Sequence, residues 1–254
     1  MMSMEEVESR LDIWGSLVRL WETDEHGKQI LWNLTIGNIH MEFIPKVMVM
    51  TWLAMALVVI FAVVCTRNMD MRKPRGGQNV LEMMFEGIRN LVNQNMDPQK
   101  GASIIGVVVT FFIFILFSNL LGLVPTLSSP TANPNTTFAL SLTTFALMYY
   151  YGIKYKGAGY FKHFVQPYVF FLPINLIEEF SKPVTLAFRL FGNIYGGEVM
   201  MVVLLGLFGV WAHFLGGFIA SVVWLAFSIF VGCIQAFIFT MLSIVYISIA
   251  TAEH

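Results

Sequence analysis

Long apolar runs dominate the chain, and short polar stretches separate them. Val47 to Cys65 carries no charged side chain over about 20 residues, the length a helix needs to cross bilayer hydrocarbon. Ala102–Ser118, Thr136–Gly152 and Gly216–Ala252 are equally free of charge. The pattern predicts an all-α, polytopic membrane protein: an extracytoplasmic segment over 1–45, then a membrane domain over 46–254. Ordinary spans are expected at about 46–66, 102–124 and 136–153.

Between the first two spans the period changes. In residues 77–98, Val80, Met83, Met84, Ile88 and Leu91 recur at three- and four-residue steps, with Glu82, Glu86, Arg89 and Asn90 between them. That is an amphipathic helix whose charges forbid a span, so it is expected to lie on the membrane surface. The alternative is a soluble helix packed on a partner.

Basic residues orient the spans. Arg67, Arg72, Lys73 and Arg75 follow the first span and mark the cytoplasmic side. The loop PTLSSPTANPNTT has three prolines and no Lys or Arg, so it reads as external. Lys154, Lys156 and Lys162 then read as internal. The N-terminus is expected outside and the C-terminus in the cytoplasm.

From Pro167 to Ala250 the chain is almost continuously apolar, with its clearest break at HFLGG, residues 213–217. Two helices are expected, over 168–212 and 217–251. Helices of roughly 35–45 residues would be about 50–65 Å long at 1.5 Å per residue, against a hydrocarbon core of about 30 Å. A long, strongly tilted helical hairpin meets that mismatch. Four ordinary spans would need turns near 183 and 232, where the chain offers Lys182-Pro183 and a lone Gly232.

Composition agrees. Hydrophobic residues make up 57% of the 254 and charged ones 12%, against about 25% charged in soluble domains. The net charge of −1 gives no basic surface for nucleic acid. The first 40 residues hold no apolar core after a basic start, so no cleavable signal peptide is expected. Cys65 and Cys233 read as packed thiols. No HExxH, phosphate loop, CxxC or helical His pair is present, so no metal or cofactor is expected.

The polar residues inside the last two helices are the candidate chemistry. An arginine in hydrocarbon costs at least about 2.5–3.5 kcal/mol and stays protonated. Arg189, in RLFGNIYGGE, therefore needs water or a carboxylate; the alternative, snorkelling to an interface, is opposed by apolar flanks on both sides. Arg189, Asn193 and Gly196 share one stripe, which Lys182 continues one heptad earlier. Glu198 falls on the opposite face, toward a water path or another helix. Gly192, Gly196 and Gly197 allow close helix approach. In the last helix Ser221, Ser228 and Gln235 repeat every seven residues, and Tyr246 falls near the same face. This stripe is expected to face the arginine helix. For the serines, interhelical hydrogen bonding is the plainer role; for Gln235, function weighs at least equally.

EEFSKPVTLAFRLFGNIYGGE (178–198), QAFIFTMLSIVYISIA (235–250) and FSNLLGLVP (117–125) resemble subunit a of F-type ATP synthases, and the resemblance covers about residues 40–254. It implies a non-catalytic, ion-translocating stator subunit, with ATP chemistry on other chains. Two offset aqueous half-channels would open against a c-ring of small hairpin subunits, each bearing a mid-membrane carboxylate. The family's other partners would be the peripheral-stalk b subunits and the rest of the synthase. By the same resemblance Arg189 is the essential arginine between the half-channels. Asn193 and Gln235 match polar positions beside it, and Glu198 matches the acidic residue of the outer half-channel. Asn119 and Tyr246 match polar positions on the third and last helices. Glu178 and Glu179 fall where an inner half-channel would open. One position departs: where some members carry histidine paired with that glutamate, this chain has Ser228, which argues against a Glu–His relay. The N-outside topology, with no targeting peptide expected, favours a bacterial plasma membrane, an organellar membrane being the alternative, and the coupling ion would be a proton or sodium.

Two other classes compete. An independent channel or secondary transporter would hold its own substrate site at a repeat interface, and no repeat is evident. A membrane enzyme or redox subunit would need a nucleophile–base set or His ligands, which the sequence lacks.

Overall fold

The computed structural model describes residues 32–36, 39–67, 76–124, 127–157, 159–160, 168–207 and 218–252. The chain divides into two compact units, Met1–Leu53 and Ala54–His254. Within the first, β1 (Trp32–Ile36) pairs antiparallel with β2 (Ile39–Phe43), from Trp32 opposite Phe43 to Ile36 opposite Ile39. This hairpin adds a short strand pair to the helical fold. Its signal is in the sequence: two short runs with β-branched and aromatic residues flank the dipeptide Gly37-Asn38. Most of the remaining N-terminal segment, the basic stretch 68–75, Lys162 and the break at 213–217 lie outside the described residues.

Helix α1 (Pro45–Thr66) opens on a proline, which fits a first turn whose N–H has no partner. Its hydroxyls satisfy themselves: Thr66 Oγ1 donates to the Ala62 carbonyl at 2.8 Å. Its Phe61 ring meets Phe117 edge-on at 5.4 Å. Helix α2 (Gly77–Asn95) is the amphipathic one. Ile88 and Val92 are buried, and Leu81, Met84 and Leu91 pack beside them. Val80 and Met83, placed on the apolar stripe by spacing, are instead 50% and 66% exposed. The apolar residues of α2 cover more than one face, and Leu81 and Val92, rather than Val80 and Met83, turn inward. Asp97 caps the single turn α3 (Pro98–Gly101) by accepting from Gln99 N at 2.9 Å.

Four helices then build the bundle: α4 (Ile105–Leu121), α5 (Pro134–Lys156), α6 (Leu172–Leu207) and α7 (Phe218–Thr251). Asn133 caps α5, with Pro134 in its first turn. The helix ends at Gly157, at φ 60°, a conformation costly for residues with a Cβ. Lys154 and Lys156 lie in that last turn, where a helix dipole favours cations. Helix α6 runs for 36 residues through Pro183, and α7 for 34 through Gly232. Neither site interrupts its helix, so each element is about 50 Å long.

The bundle has two packed centres. One joins α2, α4, α5 and the C-terminal part of α7 around Val92, Val108, Met148 and Ile244. The other joins α4, α6 and α7 through Ile115, Leu186, Leu190, Ala236 and Phe239. Lipid tails are as apolar as these side chains, so fit and hydrogen bonds select the packing. Phe111 meets Phe239 edge-on at 6.1 Å, and Thr144 Oγ1 lies 3.4 Å from Ser243 Oγ. Lys100 Nζ donates to the Thr251 carbonyl at 3.3 Å, and Ser248 donates to the Asn95 carbonyl, tying the end of α7 to the α2–α3 region. Among the described residues two helices, Pro45–Thr66 and Val222–Thr251, are long and apolar enough to cross a membrane, and Ile105–Leu121 is a shorter apolar helix.

Phe239 is the largest fully buried side chain among the described residues. Phe239→Ala is expected to cost about 3–5 kcal/mol, read as earlier denaturant-induced unfolding in mixed micelles.

Candidate functional site

Helix α6 has a buried and a bare side. Leu186, Ala187 and Leu190 are buried at 0–1% exposure. Arg189 lies between them in sequence but is exposed, and among the described residues it makes no ion pair or hydrogen bond. Gly192, Asn193 and Gly196 are exposed with it, and a Cβ on either glycine would meet nothing within 4 Å. The three- and four-residue steps put Arg189, Gly192, Asn193 and Gly196 on one open stripe of small residues around a cation. On α7, Val223, Ala226, Phe230, Cys233 and Phe237 form an exposed stripe with the same spacing.

The two helices are joined beside the arginine. Asn193 Nδ2 donates to Gln235 Oε1 at 2.6 Å. Gln235 is fully buried, and its Nε2 has no partner among the described residues. Four residues along α6, Trp224 Nε1 donates to the Gly197 carbonyl at 2.9 Å. Ser228 Oγ would lie 3.9 Å from a Cβ on Gly197. As numbering rises from 193 to 197 on α6 it falls from 235 to 224 on α7, so the pair is antiparallel. Ser228 thus lies beside the Gly197–Glu198 segment, and Glu198 is half-buried. The side chain of Ser221 lies outside the described residues.

The other candidates separate. Glu178 is exposed, whereas Glu179 is 4% exposed. Lys182 Nζ donates to Glu179 Oε2 at 2.6 Å. Tyr160, which sequence reasoning did not single out, packs over Gly152, where a Cβ would strike its ring at 2.7 Å. Burial pushes the Tyr160 phenol above its usual range, and the Glu179 charge and hydrogen bond add to the rise. Tyr246 is half-buried and borders a cavity of about 10 Å³ with Ser141, Thr144, Lys182 and Pro183, about the room one water needs. Asn119 does not join Arg189 and is held in a separate buried network.

The helices and their buried polar seams define a polytopic α-helical membrane protein with a bare arginine on one flank. The family described as ATP synthase A chain matches residues 48–248. The chain is 52% identical over 205 residues to the ATP synthase subunit a of Desulforamulus reducens, covering 80% of this chain and 78% of that one. It is 42% identical over 229 residues to the subunit a of Macrococcus caseolyticus, at 86% and 95% coverage. With that of Priestia megaterium it shares 40% over 224 residues, at 84% and 94%. The chain belongs to the ATP synthase subunit a family.

Removing one partner of a buried ion pair strands the other charge, typically at about 3–5 kcal/mol. Lys182→Met is expected to lower stability on that scale in micellar unfolding, and adding Glu179→Gln is expected to recover most of the loss.

Proposed function

We propose that this chain is the ion-translocating stator subunit of a rotary F-type ATP synthase in a bacterial plasma membrane. Its N-terminus lies outside and its C-terminus in the cytoplasm. It works against a c-ring of small carboxylate-bearing hairpins, beside peripheral-stalk b subunits, and carries protons or sodium without ATP chemistry of its own.

The observation that carries this reading is Arg189, exposed without a partner on a glycine-lined stripe. A guanidinium without a carboxylate partner among the described residues calls for one from a neighbour. Glycines beside it let a partner helix come close. As each ring carboxylate arrives, Arg189 favours its ionised form, because an opposite charge lowers a carboxyl pKa. Once the site leaves for lipid, desolvation raises that pKa and an ion is retained. The fixed charge also blocks direct leakage between the half-channels. Asn193 and Gln235 provide polar groups beside the arginine. Glu198 and Ser228 line the outer half-channel, Glu178 and Glu179 belong to the inner one, and Tyr246 is a polar position on the last helix. A potential of 100 mV supplies about 2.3 kcal/mol per charge moved across the membrane, so several ions together drive each ATP.

The test uses inside-out vesicles with ATP-driven acidification and ATP hydrolysis followed together, with and without sodium and a protonophore. Arg189→Ala is expected to reduce coupled pumping to background while the complex stays assembled. Pumping at the wild-type rate would remove the arginine from the mechanism.

A further inference from the structure

Asn119 sits in a buried node that links three segments. Its Nδ2 donates to the Gly232 carbonyl of α7 at 3.0 Å, and its Oδ1 accepts from Thr131 Oγ1 at 2.7 Å. Thr131 Oγ1 lies 2.6 Å from Ser129 Oγ, which donates to the Ser118 carbonyl of α4 at 2.8 Å. Asn119, Ser129 and Thr131 are 4%, 3% and 0% exposed. Two glycines make the room: a Cβ at Gly232 would stand 3.3 Å from Asn119 Cβ, and one at Gly122 would stand 2.7 Å from Ser129 Cβ.

We propose that Asn119, with Thr131 and Ser129, is a positioning node that fixes the register of α7 through Gly232, and is not a ligand on the ion path. The inference rests on the ion-translocation reading above. Both ends of the Asn119 amide are taken by protein, so the side chain has little left to offer a passing ion. Gly232 lies three residues before Gln235 and four after Ser228, so holding it fixes both neighbours on α7. The rest of α7 is largely Val, Ile, Phe and Leu, which pack against neighbours in several similar ways. A slide of one residue would move α7 by about 1.5 Å and turn it by about 100°. Either motion breaks the 2.6 Å Asn193–Gln235 bond beside Arg189. In hydrocarbon no water competes for the Gly232 carbonyl, so a single side-chain amide can select one register.

The experiment compares Thr131→Val, Thr131→Ser, Gly232→Ala and Arg189→Ala in inside-out vesicles. ATP-driven ion uptake is divided by the amount of assembled complex. Thr131→Val keeps the shape and removes the bond to Asn119. It is expected to lower uptake per complex about tenfold, since displacing a working group by about 1 Å costs up to about a hundredfold. Thr131→Ser restores the hydroxyl and is expected to pump near the wild-type rate. Gly232→Ala, which crowds Asn119, is expected to behave like Thr131→Val, and it decides by the same criterion should Thr131→Val not assemble. Wild-type uptake per complex in Thr131→Val, with or without fewer complexes, overturns the positioning role. Arg189→Ala separates the two failures: if it pumps normally, the functional reading falls, whereas loss there beside a normal Thr131→Val refutes the node alone.

Discussion

Hydrocarbon offers polar groups no solvent, so every polar atom among these helices must find a partner, reach water or wait for another chain. Most find partners within a turn or across one helix contact. Thr51, Thr66, Thr110 and Thr143 bond to carbonyls four residues back on their own helices. Asn193 and Gln235 bond across α6 and α7, and Thr144 and Ser243 meet across α5 and α7. Against that background the exceptions carry the information. Among the described residues Arg189 is exposed and unpaired, and Gln235 Nε2, Ser118 Oγ and Glu179 Oε1 are buried without a hydrogen-bond partner.

The two long helices follow from the same constraint. Helix α6 passes through Pro183, which removes one backbone donor and is ordinarily expensive inside a helix. The helix continues because Leu186, Ala187 and Leu190 pack immediately beyond it. Pro183, Lys182 and Tyr246 border the small cavity there, and bundles in membranes commonly re-satisfy freed backbone groups with neighbouring side chains or ordered water. The same stretch therefore holds an unbroken helix, a buried ion pair and a space the size of one water.

Much of this was legible in the sequence, because uninterrupted apolar runs specify helices and a lone arginine among them marks a candidate site. The helical class follows from such runs, and the resemblance to subunit a was carried by residues 178–198, 235–250 and 117–125. Distant pairings were not legible. Asn119 and Gly232 are 113 residues apart, and no local pattern announces that one will hold the other. On α2, apolar residues surround so much of the helix that spacing could not choose between Val80 and Leu81 for the inner face. The β1–β2 hairpin carries a local signal, Gly37-Asn38 between short β-prone runs, which the period of the long apolar runs does not reveal.

Glu178 and Glu179 show the limit most sharply. Glu178 stands four residues before Lys182 and Glu179 three, and both spacings allow a helix-surface pair. The structure pairs Glu179, because that residue faces inward, where Tyr160 closes over Gly152 and water is scarce. Glu178 is exposed and makes no ion pair among the described residues. Lys182 is thereby neutralised inside the chain, while Arg189, one heptad further along the same helix, is left bare. Two cations seven residues apart share nearly one helical face, yet among the described residues one is paired and the other is not. That asymmetry, rather than the presence of charge in an apolar helix, is what supports the proposal that Arg189 meets a partner.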